Sequence, residues 1–125
     1  MAKRFVLTLR PSGTVKPWCI SGTGIPGREW MKEQTGGEVE IIPTHYPALR
    51  MLARIDGVRI RLPVNDYATG LQRPDIDAQR GVVRGNVILA GYDGETLRGL
   101  SESECEAIME KLADPTTGYA TWKEV

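Results

Sequence analysis

Three sets of residues in this chain have types and spacings suited to chemistry. The first is a glycine-rich stretch in which Gly22, Gly24 and Gly27 form a Gly-x-Gly-x-x-Gly string with Ser21 and Thr23 among them. Glycines so spaced between a strand and a helix let backbone amides close on a phosphate. Ser21, Gly22, Thr23, Gly24 and Gly27 are therefore candidate anion-loop residues. Two features depart from the dinucleotide fingerprint. The preceding strand reads as half of a hairpin, and the acids Glu38 and Glu40 open the next strand, where a ribose-binding acid belongs near its end.

The second set is a group of arginines around Asp56-Gly57, a dipeptide that favours a two-residue type I′ hairpin turn. With that turn, Ile55 pairs with Val58, Arg54 with Arg59, and Leu52 with Arg61. Alternation then places Met51, Ala53, Ile55, Val58, Ile60 and Leu62 on one apolar face. Arg50, Arg54, Arg59 and Arg61 surround Leu52 on the other. Like charges directly opposite one another destabilise a sheet by roughly 0.2–1 kcal/mol, so this face calls for anions. Three sources are open: Glu38 and Glu40 on a neighbouring strand, a phosphate-bearing ligand gripped by guanidinium forks, or an acidic partner protein. Asn65 and Tyr67, at the hairpin's exit, complete the candidate binding set. Interleaved aromatics for single-stranded nucleic acid are missing from it.

The third set is the lone histidine, His45, with two cysteines, Cys19 and Cys105. Neither cysteine has metal or redox spacing, and one histidine without acidic neighbours makes no zinc site. Cys105 lies among Glu102, Glu104 and Glu106, which oppose a thiolate. No catalytic residue, metal or cofactor is assigned.

The elements that must position these residues follow from periodicity. Arg4 to Arg10 alternates as a strand, Pro11-Ser12-Gly13-Thr14 is a turn, and Val15 to Ser21 returns. A short helix is expected near 26–35, with Gly36 as its left-handed stop. Glu38 to Ile42 alternates, and Pro43 ends it. Residues 66–81 are polar, with a helical turn after Asn65, and Val82 to Tyr92 holds a buried strand. Ser101 and Glu104 form a capping box, with Leu100 and Cys105 as its hydrophobic staple. Cys105, Ile108, Met109 and Leu112 then make one apolar stripe over a helix near 102–113. Trp18, Trp30, Tyr46 and Tyr67 are expected in or beside the core. The expected fold is α+β: a mostly antiparallel sheet built from hairpins with both helices packed on one face. Residues 1–115 form a single domain and 116–125 a polar tail.

The chain has 125 residues, enough for one domain without disulfides. Its net charge is zero, unlike a general nucleic-acid binder. The charge is nevertheless uneven. Through Tyr92 there are 13 basic and 8 acidic residues, and from Asp93 onward 3 and 8. No stretch reads as a signal peptide or membrane helix, so a cytoplasmic location is expected.

Gly36-Gly37 followed by Glu38-Val39-Glu40-Ile41, then Leu62-Pro63-Val64-Asn65 with Ala68, Gly85-Asn86, Gly91 and a final helix introduced by Leu100-Ser101 form an ordered series of landmarks. The series resembles a family of small phage and mobile-element proteins known as domain of unknown function 3846. The resemblance covers residues 36–113 and implies origin without chemistry. That origin leads to the expectation of a phage or mobile-element accessory protein that binds, without catalysis, a host protein or a phosphate-bearing small molecule in the host cytoplasm, with counter-defence among its roles. The alternative is a nucleotide- or phosphate-binding domain or enzyme built on the 22–27 loop, and the third reading is a nucleic-acid binder using the arginine face. The hairpin's edge also offers a route to a homodimer.

Overall fold

The computed structural model describes residues 3–20, 24–57, 59–73 and 81–112. Alternating apolar residues build β1 (Arg4–Leu9) and β2 (Val15–Ile20), paired antiparallel from Arg4 opposite Ile20 to Leu9 opposite Val15. Helix α1 (Arg28–Thr35) starts two residues later than expected, because Gly27 is extended (φ −66°, ψ 166°). It stops at Gly36, whose φ of 90° is left-handed and whose N–H donates to the Lys32 carbonyl at 2.7 Å. Strands β3 (Val39–Pro43) and β4 (Leu49–Arg54) follow, then helix α2 (Asp66–Leu71), β5 (Val87–Tyr92), the two-residue β6 (Leu97–Arg98) and α3 (Glu102–Leu112).

The six strands form one antiparallel sheet in the order β2-β1-β5-β4-β3, with β6 paired to the end of β5. Leu100, just after β6, exchanges both backbone hydrogen bonds with Phe5. The α+β class is therefore as expected, whereas β6 carries too short a pattern to be read from sequence.

The helices do not share one face. Side chains alternate along each strand, so neighbouring residues enter opposite cores. Leu7, Leu9, Met51 and Leu89 pack with α2 and with Cys105, Ile108 and Met109 of α3. Val6, Leu52, Ile88 and Ala90 pack with Trp18 and with Trp30 and Met31 of α1. The central strands are apolar on both faces and need a helix on each.

The expected Asp56-Gly57 hairpin is not formed. Both edges of β4 are occupied, by β3 from Val39 opposite Arg54 and by β5 from Leu49 opposite Gly91. No edge remains for residues 58–62. Nor does Asp56 or Gly57 have the positive φ that a type I′ turn requires. The long link from β4 to β5 instead carries α2. The capping box at α3, by contrast, forms as the local spacing demands. Glu104 N–H donates to Ser101 Oγ at 3.2 Å, and Ser101 N–H donates to Glu104 Oε1 at 2.8 Å.

Candidate functional site

Losing the hairpin separates the four arginines. Arg50 and Arg54 keep the shared face of β4, but each has internal partners. The Arg50 guanidinium lies over the Tyr92 ring, 4.0 Å from its centroid, and donates to the Pro47 and Leu49 carbonyls at 3.1 Å. Arg54 donates through Nε to Asp56 Oδ1 at 2.6 Å and lies across Gly36-Gly37. A Cβ on Gly37 would stand 2.7 Å from that Nε, so only glycine permits the approach. The Arg54 hydrogen bond holds the Asp56 carboxyl below its ordinary range, with Arg59 adding to the effect from 3.6 Å.

Neither acid proposed for the arginine face serves it as drawn. Glu38 pairs with Arg28 and Lys32 of α1 at 2.6 and 3.5 Å, and the Arg28 hydrogen bond draws its carboxyl below the usual range. Glu40 stands opposite Ala53, on the face away from Arg50 and Arg54.

Asn65 is not a surface residue. It is fully buried, and its side chain joins three segments. Nδ2 donates to the Leu9 and Gly85 carbonyls at 3.1 and 2.9 Å, while Oδ1 accepts from Ala68 N–H at 3.0 Å and caps α2. Tyr67 is half-buried against the first core, its ring so close to Gly13 that a Cβ there would fall 2.6 Å from Cζ. The structure therefore removes Asn65 and Tyr67 from the arginine set.

What the fold does bring together is the loop 55–64. Ile60 N–H donates to the Asp56 carbonyl at 3.1 Å and Leu62 N–H to the Gly57 carbonyl at 3.0 Å, coiling the chain on itself. The loop packs on residues 84–85. Arg84 Nη1 donates to the Leu62 carbonyl at 3.0 Å, Gly85 N–H donates to the Pro63 carbonyl at 2.7 Å, and Val64 bridges Arg84. Val83 is buried, Val82 is exposed, and Arg84, bridged to Val64, is half-buried with its Nε enclosed. Ile55, Ile60, Val64 and Val82 are 58%, 41%, 36% and 40% exposed. Arg59 and Arg61 lie exposed among them. Arg61 has a φ of 57°, uncommon for a residue with a side chain. Within residues 55–64, Arg59 and Arg61 against Asp56 give the loop a net charge of +1. Sequence periodicity could not find it, because Ile55 and Ile60 fit an apolar sheet face equally well.

The remaining candidates are scattered. Ser21, Gly22 and Thr23 lie outside the described residues, as does the tail at 116–125, while Gly24 and Gly27 flank the entry to α1. His45 is exposed, and its backbone N–H donates to the Leu71 carbonyl at 3.0 Å. Burial, followed by Glu104, Glu102 and Glu106, pushes the Cys105 thiol up to about 12, whereas Cys19 is exposed. No group of three or more His, Cys, Asp or Glu side chains among the described residues is placed to hold a metal. No helix among them is long and apolar enough to cross a membrane. Trp18, Trp30, Tyr46 and Tyr67 are all half-buried against the two cores, as expected.

Comparison with known proteins found no matching family model, no matching curated protein and no matching solved structure. Several of the landmark residues have architectural roles. Gly36-Gly37 seats Arg54, Asn65 ties Leu9 to Gly85, and Gly91 leaves room for Arg98, whose Nη1 would stand 2.6 Å from a Cβ there.

Proposed function

We propose that this chain is a non-enzymatic binding protein that engages a partner protein through the loop 55–64. The observation that carries the reading is the loop itself: exposed Ile55, Ile60 and Val64 with the exposed Arg59 and Arg61 among them. Apolar side chains rimmed by cations suit a partner that presents acidic residues around apolar anchors. Arginine, which stacks and forks, is favoured at such contacts over lysine. The left-handed Arg61 adds support, since backbone held in a sparsely populated region is found often at binding loops. The landmark resemblance supports an accessory protein of a phage or mobile element, and hence a partner from the host cell. An arginine-face nucleic-acid binder is less well supported, because Arg50 and Arg54 already have partners.

The test is capture of host proteins on the immobilised chain, followed by calorimetry with the recovered partner. Ile60→Asp and the pair Arg59→Glu with Arg61→Glu should each weaken binding at least tenfold while leaving the circular dichroism spectrum unchanged. Equal affinity for the parent and both variants refutes the assignment of the loop.

A further inference from the structure

One flank of α3 is left over after the helix has capped itself and packed on the sheet. Glu102, Cys105, Glu106 and Met109 follow i, i+3, i+4 and i+7 spacing and so lie along one side of the helix. They face Phe5 of β1 and Pro17 of the edge strand β2 across a groove of about 180 Å³. Its apolar part is Phe5, Pro17, Cys105 and Met109, and its acidic wall is Glu102 and Glu106. An apolar cavity of about 150 Å³ accepts a benzene ring, so the groove has room for one branched aliphatic side chain.

The two glutamates have no internal work. Both are exposed, and neither has an ion-pair or hydrogen-bond partner among the described residues. Glu104, between them in sequence, is by contrast committed to Arg98 and to the cap at Ser101. Four residues of helix set Glu102 and Glu106 about 6 Å apart along the axis.

The loop 55–64 presents the complement. Arg59, Ile60 and Arg61 are consecutive and all exposed. The Arg59 side chain is 82% exposed, and its one ion pair among the described residues, with Asp56, is 3.6 Å long. Arg61 has none among them. Two arginines flank one aliphatic side chain and, being two residues apart, span at most about 7 Å. That spacing matches the two glutamates beside the groove.

The loop does not reach its own groove. Its far end is tied to the last residue of β1, through Asn65 to the Leu9 carbonyl, and to Gly85 through the Pro63 carbonyl. The groove opens at Phe5, near the start of the same strand. Four residues of strand, about 13 Å, separate the two.

We propose that the loop of one copy docks in the groove of a second copy. Ile60 enters between α3 and Pro17, while Arg59 and Arg61 meet Glu102 and Glu106. The contact joins unlike surfaces, so copies add head to tail into open chains or close into a ring. It rests on the partner-protein reading's assignment of the loop, and a loop held by another copy is closed to any other partner.

Sedimentation velocity over about 5–500 µM chain, in about 20 mM salt, tests the contact. The parent's weight-average mass should climb above that of one chain and fall back in about 500 mM salt, where charges are screened. The pair Glu102→Lys with Glu106→Lys and the pair Arg59→Glu with Arg61→Glu should each stay as single chains. All four side chains are exposed, so both variants should keep the parent's circular dichroism spectrum. Mixed in equal amounts, the two should associate at about the parent's concentration, because every unlike pairing then sets a groove against a loop of opposite charge. A parent that stays single at about 500 µM in low salt overturns the proposal. So does a mixture that stays single. The groove variant keeps its loop and should capture host protein as the parent does. Capture by the parent without self-association overturns this contact alone, and leaves the partner-protein reading standing.

Discussion

Replacing Asn65 by alanine removes the side chain that holds together the end of β1, the turn before β5 and the start of α2. Three contacts go at once: two bonds donated to the Leu9 and Gly85 carbonyls and one accepted from Ala68 N–H. Loss of a helix cap costs about 1 kcal/mol. Each buried carbonyl deprived of its donor adds roughly 1–2 kcal/mol, the lower end applying where its second lone pair is already bonded. The expected loss is about 3–5 kcal/mol, a large part of the roughly 5–15 kcal/mol that stabilises a domain. At about 2.1 cal/mol/K of unfolding entropy per residue, a chain of this length should melt about 10–20 °C lower. Asn65→Asp is the sharper variant. It keeps the acceptor for Ala68 but sets a carboxylate oxygen against two carbonyls, so at neutral pH it should lose at least as much as alanine. Urea titration of both variants, with thermal melts alongside, measures the difference. A surface residue contacting a ligand would change stability by less than about 0.5 kcal/mol. Losses below 1 kcal/mol for both variants, or an aspartate milder than alanine at neutral pH, would refute the clamp.

Glu104 gives a pH-dependent prediction. Its hydrogen bond from Arg98, with that from Ser101 N–H, holds its carboxyl down from an ordinary 4.5 to about 2. Because the folded value is the lower one, the stabilisation is full above about 4.5 and fades as pH falls through about 2. Partial exposure reduces its size to about 1–2 kcal/mol. Glu104→Gln should lose that much at pH 7 and almost nothing relative to the parent at pH 2, by denaturant titration. Gly37→Ala should cost about 1–3 kcal/mol by crowding Arg54. In an Arg54→Ala background the cost should fall below about 0.5 kcal/mol, and a double-mutant cycle without coupling would exclude the seat. At pH 8 one thiol per chain, Cys19, should react with iodoacetamide in the folded protein, and Cys105 should follow only in denaturant; mass mapping of the labelled peptides decides.

Elements whose determinants lie within three or four residues were legible in the chain alone. The capping box at Ser101 and Glu104, the left-handed stop at Gly36, the helical turn after Asn65 and the alternating first two strands each need only their neighbours to form. Composition and periodicity also set the α+β class. Pairing between distant segments was decided by the tertiary structure. Asp56-Gly57 favours a tight hairpin, yet β3 and β5 occupy both edges of β4, and a strand has only two edges to share. That competition turned an expected flat face of four arginines into two structural residues, Arg50 and Arg54, and two on a coiled loop, Arg59 and Arg61. The same long-range order placed α1 and α3 on opposite faces, because residues one apart on β1, β4 and β5 feed separate cores. It also joined Phe5, Pro17 and Met109, remote in sequence, around one groove. Local chemistry set the parts and their ends, whereas competition for strand edges and apolar faces decided which side chains meet.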